Sequence, residues 1–232
     1  MKKFGFTLTE VLITMGIIGV IAALTAPALV RNSGQAKIGP SLSKFVNTWE
    51  SACEQLLIDE KAGNLYSISN DGLTDSTTLI QKLSKFLIMT PVSNAAKGSY
   101  RIYSPDGANS MSVNNRWMYQ LKDGSIIIEN YGTNYGLDSE PIRNANVGGF
   151  TGSAGAVFID INGLKGNNRA GKEVFAFGVD KKGTLIPVGG EMHRAINQNL
   201  YNRNRCSAAS STINDGLYCT GKIADNGWVA DY

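Results

Sequence analysis

Val11–Val30 reads VLITMGIIGVIAALTAPALV, 20 residues without one charged side chain. As a helix rising about 1.5 Å per residue, this run is roughly 30 Å long, the hydrocarbon thickness of a bilayer. Lys2 and Lys3 precede it, and Glu10 stands directly before its first residue. After Arg31 the chain turns polar and rich in Gly and Asn, and no second run of that length follows. The sequence therefore predicts one apolar N-terminal rod and one water-soluble remainder.

The rest of the composition narrows the chemistry. With 232 residues and 43% hydrophobic content, there is room for one ordinary domain of about 150 residues beyond the rod. Charged residues make up only 18%, too few for a disordered polyelectrolyte. The balance of 22 basic to 19 acidic residues leaves a formal charge of +3, so nucleic acid is not indicated as a partner. A single histidine, His193, excludes a multi-His zinc site and leaves a hydrolytic triad without support. The three cysteines form no CxxC pair, which excludes zinc ribbons and cysteine-ligated iron–sulfur clusters.

Three fates fit an apolar N-terminal run behind lysines. A secretory signal peptide has an apolar stretch of about 7–15 residues and a small-x-small cleavage site. This run is longer, and its Ala26-Pro27-Ala28 site carries a proline where an extended substrate must fit. A plain membrane anchor explains the length but not Glu10, because an unpaired acid near the bilayer centre costs roughly 2.5–3.5 kcal/mol on insertion scales. An assembly helix gives Glu10 a partner.

Lys2-Lys3-Phe4-Gly5-Phe6-Thr7-Leu8-Thr9-Glu10-Val11-Leu12-Ile13 resembles the leader and mature start of the type IV prepilin class, which covers type IV pilins and the pseudopilins of type II secretion systems. The resemblance implies cleavage by a prepilin peptidase between Gly5 and Phe6, with N-methylation of the new amine on Phe6. It places Glu10 fifth in the processed chain and makes Phe6 and Glu10 the assembly residues. The amine of one subunit would meet the Glu10 carboxylate of a neighbour, cancelling two charges in low dielectric and setting axial register. Lysines and arginines flank the run on both sides, so charge alone does not orient it. The resemblance implies a single pass through the inner (cytoplasmic) membrane with the remainder outside the cytoplasm, in a filament in the periplasm or at the cell surface. It also implies as partners other pilin-like subunits, the peptidase, an inner-membrane platform and an assembly ATPase.

Pro27 should bend the helix, and Gly34 and Gly39-Pro40 add a second weak zone. Leu42, Phe45, Val46, Trp49, Cys53, Leu56 and Leu57 then recur at spacings of three and four, so the continuing helix lays an apolar stripe on a core, with Cys53 as packing. A second helix is predicted over 78–87, with Ser76 or Thr77 as its cap and Leu79, Ile80, Leu83, Phe86 and Leu87 inward, closed by Pro91.

Trp117–Leu121 and Ser125–Glu129 flank an Asp-Gly turn, as a hairpin does. Ala156–Ile161 reads as a third strand, and Glu173–Asp180 turns through Lys181-Lys182-Gly183 into a second hairpin ending at Pro187. The prediction is an α+β fold: a long N-terminal α-helix, transmembrane in its first half, packed on four or five antiparallel strands in a pilin-like head. The divisions are leader 1–5, transmembrane and assembly helix 6–30, helix continuation 31–62 and globular head 63–232.

Two runs imitate sites. Gly166–Glu173 nearly spells a phosphate loop, but Glu173 replaces the hydroxyl residue and a strand pattern follows where a helix is required. Asp160-Ile161-Asn162-Gly163 resembles the opening of a calcium loop, with oxygens from Asp160, Asn162, Asn167 or Asn168, and Glu173; the spacing is not that of an EF-hand. Some major pseudopilins bind calcium in their heads, yet their ligand positions do not map onto this run residue by residue. The alternative is an Asn-Gly turn in which Asp160 caps backbone amides. No other cofactor is expected.

Cys206 and Cys219 lie 13 positions apart near the C-terminus. Many type IV pilins pin a C-terminal loop with a disulfide, so the resemblance implies a Cys206–Cys219 bridge; reduced thiols are the alternative. The functional expectation is a structural filament subunit, not an enzyme. A minor or tip subunit whose head binds a surface, a secreted substrate or DNA is the first alternative. A membrane-anchored binding protein or enzyme is the more distant one.

Overall fold

The computed structural model describes residues 7–68, 82–113, 117–130, 156–180, 182–191 and 206–232, without the side chains of 25–33, 66–67, 129–130 and 156. The chain divides into two compact units, Met1–Lys37 and Ile38–Tyr232. The main helix, α1, is assigned over Leu8–Asp59. The helix does not break at Gly39-Pro40, which the sequence marked as a weak zone. The glycine has a packing role instead: a methyl group there would collide with the main-chain carbonyl of Trp228. Pro27 is one of the residues whose side chains are not described.

In the second unit, Ile38, Leu42, Phe45, Trp49, Ala52, Cys53 and Leu56 of α1 are buried at the expected helical spacing, with Val46 and Leu57 packed beside them. Two polar ties fix this stripe. Trp49 Nε1 donates to the Gly183 carbonyl at 3.0 Å, and Glu50 Oε1 accepts from the Leu185 amide at 3.0 Å. Gly183 has φ +90°, and a side chain there would also run into Cys53, so only glycine serves at this turn.

The strands are β1 (Met89–Pro91), β2 (Arg101–Tyr103), β3 (Ser110–Ser112), β4 (Trp117–Leu121), β5 (Ile126–Asn130), β6 (Ala156–Asp160), β7 (Val174–Val179) and β8 (Leu185–Pro187). Six form one antiparallel sheet in the order β1-β4-β5-β6-β7-β8, and β2 pairs with β3 separately. Both expected hairpins and the third strand are present; the sheet is larger than the four or five strands expected.

The 78–87 helix needs correction. Residues 78–81 lie outside the described set; of the described residues 82–87, Lys82 and Leu83 are helical and the chain then turns. Leu83 and Leu87 are nevertheless buried and Phe86 packs on the core. Pro91 does not close a helix but sits opposite Tyr119 on β1, an outer strand of the sheet, where a missing amide is tolerated.

Strand alternation sorts the core into two layers. Tyr119, Ile127, Val157, Ile159, Phe175 and Phe177 join the α1 stripe, and Phe45 lies 5.9 Å from Phe177 between ring centroids. Met118, Ile126, Ile128, Phe158, Val174 and Ala176 face the other way, onto Tyr100, Ile102, Val113, Leu217 and Tyr218. That second cover comes from α2 (Asn94–Ser99), β2, α3 (Ile213–Leu217) and its neighbourhood, followed by α4 (Cys219–Asp225). It had no counterpart in the sequence reading.

Candidate functional site

The start of α1 is built by two side chains. Glu10 Oε2 accepts from the Thr7 amide at 2.8 Å and from Thr7 Oγ1 at 2.7 Å. Thr7 Oγ1 in turn accepts from the Glu10 amide at 3.3 Å. This is a capping box: Thr7 precedes the helix, Glu10 is its third residue, and each satisfies a donor the first turn leaves open. Thr7-Leu8-Thr9-Glu10 spells that signature, a hydroxyl residue at the cap with an acid three residues on. Gly5 and Phe6 lie outside the described residues.

Beyond the box, α1 exposes apolar side chains all round: Leu8, Leu12, Ile13, Met15, Ile17, Ile18, Val20, Ile21 and Leu24 are all exposed. Neither Gly16 nor Gly19 has a heavy atom within 4 Å of where a Cβ would stand. A helix apolar on every side requires lipid or other protein to cover it. Among the described residues, no helix is long and apolar enough to cross a membrane; the apolar run of the sequence extends into 25–30, whose side chains are not described.

Asp160, the first calcium candidate, is fully buried at the end of β6. Its carboxylate accepts from the Tyr100 hydroxyl at 2.5 Å and from the amides of Asn162 and Gly163 at 3.1 Å each. Burial pushes its pKa up to about 7, against the pull of those three donors and with help from Glu173. Burial and the same carboxylate also raise Tyr100 well above the usual phenol range. Asn162, the second candidate, is exposed. Among the described residues no group of three or more His, Cys, Asp or Glu is placed to hold a metal. Asp160 thus does the work of an amide-capping turn residue and ties β6 to the start of β2.

The phosphate-loop imitation folds back on its own chain. Lys172 Nζ donates to the Pro105 carbonyl, Glu173 Oε2 accepts from the Arg169 amide, and the run leads into strand β7. The Cys206 and Cys219 sulfurs stand 2.07 Å apart in a disulfide, with Cα atoms 4.7 Å apart. Gly171 and Gly216 let the α3 end of that loop lie against Ala170. Cys53 is a buried free thiol whose pKa burial pushes up to about 12, a packing residue rather than a nucleophile. His193 lies outside the described residues.

Residues 1–26 match the family model described as the prokaryotic N-terminal methylation motif. Comparison with curated proteins and with solved structures gives no match. The capping box and the exposed apolar turns after it fall inside the matched residues, and that motif supports a type IV prepilin/pseudopilin-type protein.

Proposed function

We propose that this chain is a structural subunit of a type IV pilus-like or type II secretion filament, cut between Gly5 and Phe6 and polymerised through the first half of α1. One observation carries the reading: a capped helix, apolar on all faces, begins inside the methylation motif. In the lipid-held state its apolar surface is covered by acyl chains, and in the polymer by neighbouring copies of the same surface. The head stays outside the cytoplasm in both states.

Glu10 serves both states. In the single chain its carboxylate is shared between the two Thr7 donors. Processing leaves a cationic amine on Phe6, and a neighbour's amine supplies Glu10 with a full counter-charge. The Thr7 donors carry no net charge, whereas the amine adds a direct cation–anion attraction that is large in low dielectric, so the exchange favours the assembled state. A prepilin peptidase, an inner-membrane platform and an assembly ATPase are the partners this cycle requires.

Terminal sequencing of the native protein tests the proposal. The expected product begins at N-methylated Phe6; a product retaining Met1, or one starting beyond Val30, overturns it. Glu10→Ala should be processed normally yet be missing from sheared filaments, and its normal incorporation would remove the assembly role.

A further inference from the structure

The second unit holds a cleft of about 680 Å³ that the filament reading does not use. Phe45 of α1, Phe86, Ile159 of β6 and Ile161 just beyond it line its apolar interior. Ile88, 73% exposed, extends that apolar wall towards solvent. The mouth is polar. Lys44 of α1 meets Asp123 of the β4–β5 turn at 2.8 Å, and Lys122 lies beside them. The Asp123 carboxylate is further occupied by the Ser125 amide and hydroxyl.

Size and charge point to one class of occupant. Small-molecule sites enclose about 300–1,000 Å³, mostly apolar, with a few polar groups at one end that fix orientation. Here the lining holds two lysines and one carboxylate, and the oxygens of that carboxylate already have donors inside the protein. The mouth therefore has cation to spare and suits an anionic head, while two aromatic rings and two isoleucines suit a compact apolar body. We propose that this cleft binds a small aromatic carboxylate, with its ring against Phe45 and Phe86 and its carboxylate on Lys122 and Lys44. The site is independent of how the N-terminal helix assembles.

Methyl NMR on the isoleucine-labelled full chain in lipid nanodiscs, titrated with 3-phenylpropionate, tests this. The expected result is saturable shifts of the Ile159 and Ile161 methyls with a dissociation constant of about 1 mM, the scale for a ligand of this size. Lys122→Glu, a change on an exposed turn, should weaken binding at least about fivefold through the lost charge complementarity. Thr48→Trp, which fills the cleft from its rim, should abolish the shifts. The proposal is overturned by no saturable shift, by equal affinity for the uncharged 3-phenylpropionamide, by an indifferent Lys122→Glu, or by shifts confined to Ile17 and Ile18.

Discussion

Leu12 and Leu42 belong to the same helix, yet Leu12 is 64% exposed and Leu42 fully buried. The difference lies in what surrounds each in the sequence. Around Leu12 every face of the helix is apolar. Around Leu42 the apolar positions return every three or four residues, Lys44 and Thr48 fall between them, and one sheet face covers the stripe. An all-round apolar pattern sends a helix outward to lipid or to other subunits, whereas a striped one turns it onto its own domain. The two units divide the labour accordingly: one is specified by its environment, the other by its own core.

The sharpest way to break this contrast is to truncate each half. Trp49→Ala removes a fully buried ring and its bond to Gly183, and should destabilise the second unit by about 4 kcal/mol, read by denaturant melting. Leu12→Ala should leave that melting curve unchanged. Equal effects from both would dissolve the division into units.

A cross-link comes next. Reducing the Cys206–Cys219 bridge should cost the second unit roughly 3 kcal/mol in the chain-entropy model, with no effect on the helicity of the first. Mass spectrometry without reductant reports whether the isolated protein carries the bridge.

Titration follows. Asp160 has a folded pKa of about 7, above the ordinary aspartate value near 3.9, so the site's contribution is full below about pH 4 and is lost as pH rises through 7. Between pH 5 and pH 8 the second unit should lose on the order of 2 kcal/mol, a fall of several degrees in melting temperature. Asp160→Asn should flatten that dependence. A pH-independent melting temperature in the unaltered protein would show that the carboxylate ionises freely. Millimolar calcium should leave the melting temperature where it is, since the Asp160 oxygens are already occupied by protein donors; a rise lost in Asp160→Ala would restore the cation reading.

The smallest effect belongs to the first unit. Thr7→Ala removes half of the capping box and should fray the start of α1 by about 1 kcal/mol, visible as faster amide exchange over residues 8–11. Melting of the second unit should not register it.

Legibility in the sequence followed the range of the interactions. The stripe from Leu42 to Leu56 and the hairpin at Asp123-Gly124 depend on residues within a few positions, and both stand out. Strand β1, strands β2 and β3, and the two C-terminal helices are three to seven residues long and gain their stability from partners far along the chain. No local period marks them. Tyr100–Asp160 and Gly39–Trp228 are of the same kind: a tyrosine beside a serine and a glycine before a proline look like surface features until their partners are known. At Glu10 the reverse held. The capping signature is local and readable, since Thr7 and Glu10 stand three residues apart on one helical turn.

The approach of Trp228 to Gly39 has a consequence for biogenesis. A ribosome delivers Gly39 early and Trp228 almost two hundred residues later, so the opening turns of the domain's own helix wait for their cover through most of synthesis. Such distant closure makes maturation slow and leaves a greasy intermediate exposed in the meantime. Holding that intermediate at a membrane surface, or in the grip of a chaperone, would guard it until the last stretch arrives.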